Sequence, residues 1–428
     1  MSEPSPQIPS VHLHGRTYNL PQRPTVVICI DGFDPEYLEA GIEDGILPNM
    51  SSFLSSGFHT TAECAMPSLT NPNNLSIITG APTSIHGISG NYYLDKETGQ
   101  EHMVVDDSTM HGTTILAKLA ESGIRIAAIT AKDKLRRIIN HGLSPSKSSI
   151  CFSAQCANEC TLSEHGIQDV ESWLGQTTPP QYSGALSLFV LDAGLKLLQE
   201  DRADFFYLTL SDYIQHKYAP HSQEANTFMS AIDARLGEFV NLGAVVAVTG
   251  DHGMSDKSSP TDGTPNVLFL EDFLHSRWPA ARARVICPIS DPFVKHHGAL
   301  GGFVRVYFLS EICARQVEEI LDACRGLPEV EVALSGDDAA VLFEMPRDRE
   351  GDLVVVSRAE FVVGSRVDEH DLSLLGGLRL RSHGGLSEQR IPLLRSTPVR
   401  DRGLDGDGDG FGSKRWRNFD IFDLVLNY

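Results

Sequence analysis

Four stretches of this chain are apolar without alternation and close on a polar turn. They are "TVVICIDGFD" (25–34), "GIRIAAITAKDK" (123–134), "ADFFYLTLSDYIQH" (203–216) and "GAVVAVTGDHGMSD" (243–256). A β-branched run with no polar face predicts a strand buried on both sides, the kind found inside parallel sheets. Between them, "GALSLFVLDAGLKLLQE" and "EANTFMSAIDARLGEFVNL" repeat apolar residues at helical spacing. Strands alternating with helices predict a doubly wound, mostly parallel α/β sheet flanked by helices. The texture then changes. "GGFVRVYFLS", "VEVALSG", "AAVLFEM" and "GDLVVVSRAEFVVGS" read as strands around one helical stretch, "CARQVEEILDAC". The expected organisation is an α/β core over 1–260 and 380–428, interrupted by a smaller α+β cap insertion over 261–379. The closing "NFDIFDLVLNY" reads as a last core helix, and no internal repeat is present.

The length of 428 residues permits a large core. The formal net charge of -21 lacks the basic footprint of a nucleic-acid binder and gives no attraction to an anionic membrane. An anionic substrate therefore needs local positive charge from a few lysines, arginines or metal ions. The first residues have no basic start before an apolar core, and no run of 18 apolar residues occurs, so a cytoplasmic protein is expected. The eight cysteines include no CxxC pair and read as mostly buried, reduced thiols. "LDGDGDGFG" (404–412) has Trp416 where a calcium loop begun at Asp405 needs a bidentate Glu, which favours an acidic turn. The sequence does not set the oligomeric state and is compatible with a homodimer.

Candidate chemistry collects at the strand ends. Asp31 follows "VVICI", Asp212 follows "FYLTLS", and Asp251-His252 follow "VVAVTG". In open α/β sheets ligands bind at the carboxyl ends of strands, so these acids are expected on one rim. Asp212 and His216 are spaced i,i+4 and share a face if that segment is helical. His383, in "RSHGGLSEQRIPLL", adds another nitrogen donor. Any one of these also fits a turn or a solvated loop. Together they suit two borderline cations such as Zn²⁺, which accept imidazole nitrogen and carboxylate oxygen, and two-metal sites serve in-line displacement at phosphorus. Thr70, in "MPSLTNPNNLSIITG", is either a helix N-cap or a nucleophile at the positive end of a helix.

The ordered set Asp31, Thr70, Asp212-x-x-x-His216, Asp251-His252 and His383 resembles the alkaline phosphatase superfamily, and within it the nucleotide pyrophosphatase/phosphodiesterase-like branch, whose nucleophile is Thr. "ITAKDK", "LSDYIQHKYAP", "TGDHGMSDK", "VKHHGALGG" and "SHGGLSEQRIPLL" are similar, within that branch, to the phosphonoacetate hydrolases. Nucleotide pyrophosphatases more typically carry an aromatic-Pro-Asn-His run after the Thr, where this chain reads "NPNN". The resemblance implies two Zn²⁺, one on Asp212, His216 and His383, the other on Asp31, Asp251, His252 and the Thr70 oxygen. It implies hydrolysis of the carbon–phosphorus bond of a small anionic phosphonate through a phosphothreonine. Lys132 and Lys134 would hold the substrate carboxylate, Asn91 a phosphonyl oxygen, and His216 and His383 would also touch substrate. On residues alone, the two lysines also fit a solvent-facing strand end, and Asn91 a turn. His296 and His297 read as cap-loop residues, with lining the mouth of the site as the alternative. His86 and His102 receive no role. A phosphodiesterase on the same core is the alternative.

Overall fold

In a computed structural model the protein is described over residues 8–145, 148–291, 297–399 and 414–428. The acidic turn at 404–412 lies outside the described residues. Six strands of the main sheet lie in the first part of the chain: β1 (Thr25–Cys29), β2 (Phe58–Glu63), β3 (Ile126–Thr130), β4 (Ser149–Ser153), β5 (Phe205–Thr209) and β6 (Val245–Thr249). A second, four-stranded sheet follows, built from β7 (Ala283–Ile286), β8 (Phe303–Phe308), β9 (Val330–Ser335) and β10 (Leu353–Ser357). The chain then returns to the first sheet as β11 (Arg390–Arg395). The order of that sheet is β2-β11-β6-β1-β5-β3-β4. The five strands from β6 to β4 pair in parallel, while β11 is antiparallel to both of its neighbours. Every residue of the five parallel strands is buried, which is why their sequences show no polar alternation.

The helices used below are α1 (Thr70–Thr79), α2 (Asp133–Ile139), α3 (Ala185–Gln199), α4 (Tyr213–Lys217), α5 (Gln223–Asn241), α6 (Ala314–Arg325) and α7 (Ile421–Asn427). Successive side chains of β1 point to opposite faces. Val26 and Ile28 join the core under α3 and α5, with Leu191 and Phe239. Val27 and Cys29 join the other core, with Leu75 and Ile78 of α1, Leu135 of α2 and Phe422 of α7. The doubly wound architecture and the closing helix expected from sequence are thus present. So are the i,i+4 geometry of Asp212 and His216 and six buried cysteines out of eight.

One expectation is corrected. "AAVLFEM" does not form a strand: residues Gly336–Leu342 are helical, capped by Ser335, whose hydroxyl accepts from the Asp338 amide. A cap followed by two acids in the first turn outweighs the short apolar run. A further helix, Leu270–Arg277, was not read from sequence. The second sheet has its own core, in which Ile320, Leu321 and Cys324 of α6 meet Val330, Ala333 and Val355. Among the described residues no helix is long and apolar enough to cross a membrane.

Candidate active site

The strand register explains why distant residues meet. Cys29 of β1 pairs with Thr209 of β5 and Thr249 of β6, and Thr209 pairs with Thr130 of β3. These four residues form one rung at the carboxyl edge. Asp31, Asp212, Asp251 and Lys132 follow within two or three residues, so all emerge on one rim. Gly32, at φ 71°, turns the chain there and donates its amide to Asp251 Oδ1 at 3.1 Å. The left-handed backbone at this turn suits glycine.

Two buried triads result. Asp212, His216 and His383 form one; Asp31, Asp251 and His252 form the other. In each, one donor atom per residue lies within 4.8 Å of the others. Each histidine has its Nδ1 2.8 Å from a backbone carbonyl: His216 with Arg381, His252 with Gly253 and His383 with Ser68. Donation to that carbonyl places the proton on Nδ1 and leaves the Nε2 lone pair to face the carboxylates, the tautomer a metal ligand needs. His216 Nε2 is 2.9 Å from Asp212 Oδ2, and His252 Nε2 is 3.1 Å from Asp31 Oδ1. Among the described residues Asp31, 1% exposed, receives no well-formed hydrogen bond on either oxygen.

The electrostatics reflect how closely charge is crowded into the two triads. Burial pushes the Asp251 carboxyl well up, and neighbouring Asp31 pushes it further. His252 is raised to about 9: burial opposes its charge, but Asp251 and Asp31 outweigh it. His383 is pushed well below its ordinary value by burial, then by His252 and His216. Buried carboxylates with imidazole nitrogens aimed at them form a donor set that a divalent cation would neutralise. The residues present therefore fit the metal centre expected of this arrangement.

Thr70 opens α1, but it does not cap it. The N-cap residue is Leu69, with no side-chain cap bond, and Thr70 Oγ1 instead lies 3.3 Å from His252 Nε2. This geometry removes the capping reading. Asn74, one turn on, was missed by sequence reasoning. Its Nδ2 donates to Asp251 Oδ2 at 3.0 Å, and its Oδ1 accepts from Tyr207 at 2.7 Å. The available signal was a polar residue on the fully buried face of an apolar helix.

A cavity of about 440 Å³ opens over Asp31, Thr70, Asp212 and His383, and its wall includes Asn91, Lys132, Lys134, Asp291 and His297. The lysines do not face open solvent. Lys132 Nζ donates to Asp212 Oδ1 at 3.1 Å, and Lys134 pairs with Asp291. Burial depresses Lys134, against the pull of Asp291; for Lys132 the Asp212 and Asp31 carboxylates overcome burial and raise it. Asn91 is buried in the wall, its Nδ2 3.4 Å from the Ile289 carbonyl. His297 lines the cavity: its ring centroid is 5.1 Å from that of His216, and burial followed by His216 lowers it to about 3. His296 lies outside the described residues. His86 is buried beside Ser76 Oγ at 3.0 Å and the His102 ring lies tilted against that of Tyr93; neither lines the cavity. Asp291 carried no signal in the sequence, since only the tertiary fold brings the segment before position 292 to the rim.

Residues 25–370 match the type I phosphodiesterase / nucleotide pyrophosphatase family, and the chain belongs to that family of hydrolases, within the alkaline phosphatase superfamily. Two solved structures of phosphonoacetate hydrolase from Sinorhizobium meliloti 1021, one with phosphonoformate and one with phosphonoacetate, are 41% and 40% identical. Each has a TM-score of 0.91 and covers 98% of this chain and 99% of its own. Murine ectonucleotide pyrophosphatase / phosphodiesterase 5 shares the fold alone, at 17% identity, a TM-score of 0.60 and 94% coverage of both chains. An uncharacterized pyrophosphatase/phosphodiesterase of Schizosaccharomyces pombe is 26% identical over 301 residues, 67% of this chain and 52% of its own. Phosphonoacetate hydrolase of Penicillium oxalicum is 74% identical over 31 residues, 7% of this chain and 43% of its own. The chain thus spans about half the length of the curated relatives it matches.

Proposed function

We propose that this protein hydrolyses the carbon–phosphorus bond of phosphonoacetate, releasing acetate and phosphate, with two Zn²⁺ as its metals. The observation that carries the reading is the placement of Lys132 and Lys134 in the same cavity wall as Thr70 and members of both triads, Asp31 from one and Asp212 and His383 from the other. Phosphonoacetate presents a phosphonate to the triads and a carboxylate to the lysines at once. Asp212, His216 and His383 would hold one zinc, and Asp31, Asp251, His252 and Thr70 Oγ1 the other. When bound, these cations supply charge neutralisation at the phosphonyl oxygens and acidify a coordinated hydroxyl or water.

Thr70 Oγ1 gives its proton to solvent and attacks phosphorus from the start of α1, where the helix N-terminus favours an anion. The new O–P bond forms as the P–C bond breaks. The electron pair passes to the methylene carbon and is delocalised into the carboxylate as an enediolate-like anion. Lys132 and Lys134 face that carboxylate and stabilise charge that exists only as the bond breaks, which is what lowers the barrier. Solvent protonates the carbon to give acetate. Asn91, also in the cavity wall, steadies a phosphonyl oxygen, and His216 and His383 border the phosphonate. Water entering on their side then cleaves the phosphothreonine ester. His252 holds Thr70 in position, and Asn74 holds Asp251.

In this reading the core comprises 1–260 and 380–428 and the cap 261–379, whose Asp291 and His297 complete the cavity. A phosphodiesterase reaction on the same core is the second reading, favoured by the family match. The experiment is phosphate release from phosphonoacetate by purified, zinc-loaded protein, with a nitrophenyl phosphodiester in parallel. Turnover of phosphonoacetate that is lost in Lys132→Ala and Lys134→Ala supports the proposal. Cleavage of the diester alone refutes the substrate and leaves the phosphodiesterase reading.

A further inference from the structure

Each rim lysine has its own carboxylate, and the two carboxylates differ in kind. The partner of Lys132 is Asp212, a member of a triad and committed to it. The partner of Lys134 is Asp291, which belongs to neither triad and arrives from the segment after β7. The Lys134 and Asp291 side chains are 14% and 7% exposed, and both line the cavity that holds Thr70. Asp291 therefore already sits where the reading above would bring the ligand carboxylate.

We propose that Asp291 is a specificity-determining residue: an internal carboxylate that competes with the carboxylate of the ligand for the Lys134 ammonium. The proposal rests on the assignment of Lys134 to the carboxylate subsite. An ammonium has three donors, so Lys134 is able to hold two carboxylates, but these then lie within about 5 Å of each other, where like charges repel strongly in a poorly solvated wall. A simple carboxylate such as acetate has nothing else to offset that repulsion and is excluded. A ligand whose phosphonate is anchored at the triads tolerates it. The same competition favours departure of acetate once the P–C bond is broken, because the product has lost its anchor while Asp291 remains.

The test is equilibrium titration of zinc-loaded protein with acetate and with methylphosphonate, comparing wild type, Asp291→Asn, Lys134→Met and the double variant. The amide keeps the shape and a hydrogen-bond acceptor for Lys134 while removing the charge. Expected is acetate binding at least about tenfold tighter in Asp291→Asn, methylphosphonate affinity within about twofold, and loss of the acetate gain in the double variant. Unchanged or weaker acetate binding in Asp291→Asn overturns the proposal, as does a gain that survives without Lys134 or absence of acetate binding in every protein. Equal changes for both ligands also overturn it, since they report general damage to the site. Phosphate release by wild type is measured separately. A protein that does not turn over phosphonoacetate, yet shows the acetate gain, retires the proposed substrate and keeps the role of Asp291.

Discussion

Thr70→Val separates a nucleophile from a structural threonine. The substitution removes the hydroxyl and keeps the branched shape. Were Thr70 the N-cap of α1, losing its oxygen would cost about 1 kcal/mol of stability. The structure assigns the cap position to Leu69, with no side-chain cap bond, and among the described residues Thr70 Oγ1 makes a 3.3 Å contact with His252 Nε2. A contact of that length contributes at most roughly 0.5 kcal/mol. In a chain of this size that amounts to a change in Tm of about 1 °C or less. Loss of an attacking atom is of another order: at least a ~1000-fold fall in kcat. The assay pairs thermal unfolding with phosphate release from phosphonoacetate, both on zinc-loaded protein. Tm within about 2 °C of wild type, with turnover reduced by that factor, is the expected pair. Turnover above about a tenth of wild type would refute the nucleophile, whatever the Tm.

Other outcomes follow from the same geometry. Lys132→Met and Lys134→Met each lower kcat on phosphonoacetate by roughly 100-fold while changing cleavage of a nitrophenyl phosphodiester less than about threefold, because only the former develops charge on a carboxylate; equal losses on both substrates would count against leaving-group stabilisation. Chelation abolishes phosphate release, and zinc restores it as two equivalents per chain are added, as followed by metal analysis; recovery with one equivalent would remove one triad from the reaction. Asp251→Asn leaves His252 and Asn74 without their charged partner and is expected to bind one zinc fewer, read by metal analysis rather than by activity. His86, buried beside Ser76 and lowered to about 3 first by burial and then by His14 and His111, is neutral in the folded protein but titrates near 6.5 when unfolded. The unfolded state then binds more protons below 6.5, so stability is complete above that pH and falls by about 1.4 kcal/mol per unit as pH drops toward 3. Urea midpoints from pH 7 to 4 in wild type and His86→Gln measure this, and identical slopes would refute it.

The pattern of the chain by itself determined four strands of the seven-stranded sheet and pointed to the acids and histidines that gather in the two triads. Strands buried on both faces must be apolar throughout, so β1, β3, β5 and β6 were visible as runs, and the acids that closed them were visible as departures from those runs. The i,i+4 spacing of Asp212 and His216 survived because it needs only one helical turn. Local signals failed where a cap and an apolar run conflicted, as at Gly336–Leu342. What the tertiary structure alone decided was charge pairing and access. Parallel register brought Thr130, Cys29, Thr209 and Thr249 to one rung, and so set Lys132 against Asp212. Closure of the second sheet over the rim brought Asp291 to Lys134 and His297 to His216 across more than 80 residues of chain. Such contacts leave no trace in local spacing, because the energy that holds them depends on distance in space and on burial, not on separation along the chain.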